Sequence, residues 1–167
     1  MRRLMIGVLL LTLLLACTGC SETMRTTQDL VDKAREEIPI ADAQTTDLAY
    51  GGVQTMGERS LHWFISGNAY QAHYYLPMEC ESPQEGTYRF VRTYKPVTCA
   101  KDIALARWNE GYSFLVNNPD CAALRLTGQD GEMTEISLQG QELPFLYFYE
   151  GTPAQYLFLD GQGQELP

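Results

Sequence analysis

From Leu48 onward the chain is built of short apolar segments, rich in aromatic and β-branched residues, separated by Gly, Pro, Asn and Asp. Segments of that length and composition fit half-buried strands far better than helices, and punctuation this frequent forces the chain to reverse often. The pattern predicts a mainly β fold. We expect an antiparallel β-sandwich, immunoglobulin-like or similar, of about eight strands over residues 48–167.

Three hairpins carry this expectation. In the first, Gly67-Asn68 is read as a two-residue turn between Leu61–Ile65 and Tyr70–Leu76. Ile65 then faces Tyr70, Trp63 faces Ala72 and Leu61 faces Tyr74, while His62 and His73 oppose each other on the other face. In the second, Asn109-Glu110-Gly111 forms a three-residue connection between Ile103–Trp108 and Tyr112–Val116, pairing Trp108 with Tyr112. In the third, Asp130-Gly131 lies between Cys121–Thr127 and Met133–Leu138. Its apolar residues match when Leu126 faces Ile136 and Leu124 faces Leu138, which requires a bulge or an odd-length loop. Tyr88–Tyr94 supplies a further strand. Pro144–Tyr149 is apolar enough for a central strand covered on both faces, and Gln155–Asp160 follows it.

Ahead of the β region, Thr26 or Thr27 caps a helix with Asp29 in its first turn, and Leu30, Val31, Ala34 and Ile38 recur at helical spacing. Pro39 closes it. Residues 28–47 are thus read as a helix of about three turns with its linker.

The N-terminus has Arg2 and Arg3, the apolar run Leu4–Ala16, and then Cys17-Thr18-Gly19-Cys20. A basic start followed by a short apolar stretch is a secretory pattern, and the stretch falls short of the roughly 20 apolar residues of a membrane span. Leu14-Leu15-Ala16-Cys17 resembles the lipobox of bacterial lipoproteins. The resemblance implies that 1–16 is a signal peptide and that Cys17, or alternatively Cys20, carries the lipid. It also implies a tether over 17–27, and a protein held on the extracytoplasmic face of the cell membrane. It covers the N-terminus alone.

Loss of Arg2 and Arg3 would leave ten basic residues against twenty-one acidic ones. Such a chain is a poor partner for nucleic acid, and no basic run is available for anionic headgroups. Outside the cytoplasm a disulfide is permitted, and Cys80–Cys99 is the first pair to examine.

No catalytic motif is present: there is no nucleophile elbow, no phosphate-binding glycine loop and no calcium loop. Glu79, Glu81 and Glu85 are read as a solvated loop. His62 and His73 could offer two nitrogens to a metal, and a small envelope metal-binding protein or enzyme centred on them is the alternative to a binding module, although no third ligand accompanies them locally. No cofactor is expected. Ten tyrosines exceed what a core of this size needs. Tyr70, Tyr74, Tyr75, Tyr147, Tyr149 and Tyr156 are candidates for a platform that binds a protein, peptide or glycan of the envelope.

Overall fold

The computed structural model describes residues 23–39, 46–67, 74–98 and 101–166. Helix α1 (Thr27–Glu37) begins where the sequence places it. The Thr26 hydroxyl accepts from the Asp29 N–H, and the Asp29 carboxylate accepts from the backbone N–H groups of Thr26 and Arg25. This reciprocal cap satisfies donors that a helix start leaves unpaired. Leu30, Val31, Ala34 and Ile38 are all buried.

The other described residues form antiparallel β structure, and among them there are more strands than expected: twelve, in three sheets instead of the two of a simple sandwich. The first sheet joins β1 (Thr23–Met24), β5 (Thr87–Thr93), β4 (Tyr74–Gln84), β3 (Arg59–Ser66) and β2 (Leu48–Met56) in that spatial order, with β6 (Val97–Thr98) also paired to β4. The second is β11 (Phe145–Glu150), β8 (Gly111–Val116) and β7 (Ile103–Trp108). The third is β10 (Met133–Ser137), β9 (Ala123–Thr127) and β12 (Gln155–Leu159).

Three apolar clusters show how these pieces stack. Helix α1 and Met24 pack on Phe64, Leu76, Met78 and Cys80, covering one face of the first sheet. The other face, with Leu61, Trp63 and Tyr75, packs on Ala104, Ala106, Trp108 and Leu115 of the second sheet. The opposite face of the second sheet, with Ile103, Phe114 and Val116, packs on Leu124 and Leu126 of the third. The order of layers is therefore helix, sheet, sheet, sheet. Strand β11 alternates cleanly between the last two clusters, Leu146 and Phe148 to one side and Phe145, Tyr147 and Tyr149 to the other. Its two faces are covered as expected, but it is an edge strand and only half-buried.

Several expected registers shift. Strand β3 pairs with β4 so that Trp63 faces Pro77, Ile65 faces Tyr75 and His62 faces Met78. The change reverses parity along β4, which sends Tyr75 to the core face that Tyr74 was expected to occupy. Strand β4 also runs on through Pro77. A proline is tolerated there because β5 pairs only as far as Met78 and β6 starts at Tyr75, so no ladder hydrogen bond is required of its nitrogen. The expected tether is shorter as well: Thr23–Met24 pair with β5, and Met24 is buried. In the third hairpin Leu124 faces Ile136 and Leu126 faces Thr134. The slip is two residues, so the apolar face survives.

The second hairpin slips by one. Trp108 faces Gly111, and the turn is the two residues Asn109 and Glu110, at φ 45° and 62°. Two left-handed residues match strand twist in a two-residue turn, yet glutamate is a costly occupant of that region. Gly111 is needed for space: a Cβ there would lie 2.3 Å from the Tyr149 carbonyl oxygen. Replacing Glu110 with Gly should therefore stabilise the fold by about 1 kcal/mol. Gly111→Ala should destabilise it by about 2 kcal/mol or more through overpacking. Urea midpoints moving in opposite directions would bear this out.

One buried polar chain bolts the first sheet to the second. The Trp63 indole N–H donates to the Ser113 hydroxyl at 2.8 Å, and that hydroxyl donates to the Gln54 amide oxygen. Ser113→Ala leaves both partners unpaired and should cost about 3 kcal/mol, read from the urea midpoint. Ser113→Thr, which keeps the hydroxyl, should recover part of the loss.

Candidate functional site

The tyrosines proposed from sequence separate into two groups. Tyr75 is fully buried, and its hydroxyl donates to Asp102 at 2.9 Å, so it is a core residue with no ligand-facing surface. Tyr74, its neighbour on β4, points to the opposite face and is exposed. Tyr70 lies outside the described residues.

Tyr147, Tyr149 and Tyr156 come together in the seam between the second and third sheets. Register places Tyr147 beside Phe114 and Tyr149 beside Tyr112 on the face that meets the third sheet. From the third sheet, Tyr156 and Phe158 reach the same phenylalanine, with ring centroids 5.7 and 6.3 Å from Phe114. Edge-on and tilted contacts of this kind suit the quadrupoles of aromatic rings. Phe114 is fully buried, Tyr147 and Tyr149 are half-buried, and Tyr156 is 41% exposed. The seam is thus an aromatic surface with a solid floor and an open rim. Tyr112 and Phe158 belong to it and were missed, because their membership depends on which sheets meet.

His62 occupies a different environment from the one expected. It is fully buried on the face of the first sheet that α1 covers, and both ring nitrogens are engaged. Nδ1 lies 3.0 Å from the Tyr50 hydroxyl, and Nε2 lies 3.0 Å from the Ser60 hydroxyl. Ser60 donates to the Cys80 carbonyl and accepts from Ser82. The arrangement is satisfied by a neutral imidazole that donates from Nε2 to Ser60 and accepts at Nδ1 from Tyr50. The Tyr88 ring closes over the imidazole at 4.6 Å. His62 therefore has no lone pair facing an open site, which removes the described half of the expected metal pair. His73 lies outside the described residues. Among those described, no group of three or more His, Cys, Asp or Glu is placed to hold a metal.

Cys80 is a buried free thiol, its ionisation pushed up to about 12 by burial and then by the charge of Glu79. Of the expected Cys80–Cys99 pair, only Cys80 is described. Cys17, Cys20 and Cys99 fall outside the described residues. Cys121 is a second buried free thiol.

The glutamates read as a solvated loop belong largely to a strand. Glu79 has no exposed surface, although it sits between two half-exposed arginines. Arg59 Nη1 contacts one carboxylate oxygen at 2.8 Å, and Arg92 Nε and the Tyr94 hydroxyl contact the other at 2.7 and 2.8 Å. Burial pushes the carboxyl upward, but the hydrogen bonds from Tyr94 and Arg92 and the charges of Arg92 and Arg59 outweigh it, and Glu79 ionises below the usual range. Beside it, Arg89 pairs with Glu81 at 3.1 Å.

No family model, no curated protein and no solved structure matches this chain. Among the described residues, no helix is long and apolar enough to cross a membrane.

Burial holds the folded-state pKa of His62 at about 4, below its ordinary value of about 6.5. Between those values the unfolded chain binds a proton that the folded chain refuses, so stability is complete above pH 6.5 and falls as the pH drops toward 4. The loss attributable to His62 is about 3 kcal/mol. Glu79, shifted in the direction that stabilises its ionised form, adds a further loss at pH values below about 4.5. Urea titrations at a series of pH values should show this slope, and His62→Gln should flatten it between pH 6.5 and 4. An unchanged slope would place the acid sensitivity elsewhere.

Proposed function

We propose that this chain is a lipid-anchored lipoprotein on the extracytoplasmic face of the cell membrane, acting as a non-enzymatic binding module of the envelope. The anchor rests on the Leu14–Cys17 segment and its alternative at Cys20. The binding role rests on one observation: Tyr147, Tyr149 and Tyr156 converge around buried Phe114 and keep a rim open to solvent. Aromatic surface on a rigid floor, with hydroxyls at its margin, suits a peptide or glycan that offers apolar patches and hydrogen-bonding groups. The packing of the second sheet on the third follows sandwich logic, and we read residues 101–166 as the sandwich that presents this seam.

Two experiments test the reading. The intact mass of the membrane-extracted protein should correspond to a diacylglyceryl-modified chain beginning at Cys17 or Cys20, and a chain beginning at Met1 or bearing no lipid would end the anchor proposal. Envelope glycan and peptide arrays should give a ligand whose affinity drops about tenfold with Tyr156→Ser. Tyr74→Ser, exposed but remote from the seam, serves as the control. Equal effects of the two substitutions would rule out the seam as the binding surface.

A further inference from the structure

The sequence offers no basic run, yet strand pairing assembles an arginine face. Arg59 opens β3, Arg89 and Arg92 lie on β5, and the glutamates between them, Glu79 and Glu81, are on β4. The three arginines share one face because a bulge between Glu79 and Cys80 brings Arg92 into line with Arg89. Their side chains are 52%, 44% and 58% exposed for Arg59, Arg89 and Arg92, whereas Glu79 is entirely hidden. At this point the surface presents the outer edges of guanidinium groups braced from below. Arg92 is further fixed by a 3.0 Å bond to the Tyr94 hydroxyl and by its position over the Tyr94 ring. Arg89 Nε is buried without a hydrogen-bond partner.

The location of this face is as informative as its chemistry. Arg89 pairs directly with Thr23 on β1. Thr23 is three residues beyond Cys20 and six beyond Cys17. Even a fully extended chain puts Thr23 no more than about 20 Å from either cysteine. A chain lipidated there must keep the arginine face close to the headgroups.

We propose that Arg59, Arg89 and Arg92 form a phosphate-contacting face that seats the domain on anionic phospholipid headgroups beside its own anchor. The inference rests on the lipid-anchor reading above. Guanidinium forks match phosphate oxygens, and bracing by Glu79 and Tyr94 lowers the entropy lost on contact. At physiological salt the screening length is about 8 Å, so acidic groups on the far side of the domain oppose this only weakly. Nearer at hand, Glu81 shares the face and Glu58 and Glu85 occupy the flanking turns, so contact depends on placed guanidiniums and not on net charge. On the other side of the first sheet, Asp29, Asp32 and Glu36 outnumber Lys33 in a cleft with Thr23 and Met24, and the excess of carboxylates disfavours the opposite seating. The second sheet covers this same face farther along, at Leu61, Trp63 and Tyr75, so headgroups reach the arginines at the uncovered end of the first sheet, with α1 turned away.

The test uses the full-length lipidated chain in nanodiscs doped with a gadolinium-headgroup lipid, with amide relaxation read by NMR. In discs containing phosphatidylglycerol, enhancement should concentrate on residues 59–61 and 87–93. In discs of phosphatidylcholine alone, that concentration should disappear. Arg89→Gln leaves the Glu79 cluster intact and should lower the seated population about fivefold, and Glu81→Gln should raise it by a similar factor. Identical patterns in the two discs, enhancement centred on α1, or no response to either variant would overturn the proposal. If mass analysis shows no lipid, the anchor reading fails separately. The same discs with a nickel-chelating lipid then hold the chain by an N-terminal polyhistidine tag, and the same outcomes decide the arginine face.

Discussion

Strand β3 has almost no solvent-facing side. Ser60, Leu61, His62, Trp63 and Phe64 are consecutive and all fully buried. A strand sends successive side chains to opposite faces, so a run like this must be covered twice. The covers are α1 on one face and the second sheet on the other. The second sheet is then itself apolar on both faces and requires the third. The layered architecture follows from that requirement, passed outward until a sheet is reached whose far face can meet water.

Burying β3 also buries polar atoms, and their partners fix the layers in register. Ser113 ties Trp63 to Gln54 across the first two sheets. Tyr50 and Ser60 satisfy both nitrogens of His62. Arg59, Arg92 and Tyr94 satisfy Glu79. Buried polar groups are costly when unpaired and position-specific when paired, so these contacts select one alignment of apolar surfaces that would otherwise slide. Residues that invite a catalytic reading, a histidine beside serines and a glutamate beside arginines, here serve this alignment.

The same pairing turns a sequence with a net acidic charge into a molecule with sides. Arg59, Arg89 and Arg92 are separated along the chain by up to 33 positions, yet β-pairing and one bulge place them on a single face. The aromatic seam arises in the same way. Tyr147 and Tyr149 belong to one sheet and Tyr156 to another, and only the packing of the two sheets makes them neighbours. The connection between β11 and β12 is short, yet the strands it joins enter different sheets.

The features legible in the chain are local ones. The cap at Thr26 and Asp29, the stripe from Leu30 to Ile38, the β character beyond Leu48 and most turn positions depend on neighbours a few residues away. The apolar face of the third hairpin was legible too, since a two-residue slip leaves parity unchanged. Tertiary structure decided the rest. Parity in β4 turned on how far β3 slides before pairing, which exchanged the roles of Tyr74 and Tyr75 and parted His62 from any partner histidine along the ladder. The turn at Asn109 and Glu110 took a left-handed form that glutamate does not announce, because Tyr149 and Phe148 leave room for nothing larger than Gly111 beside it. Strand pairing and sheet packing join residues far apart in sequence, and the free energy that selects among registers comes from those distant contacts, so no local pattern records the choice.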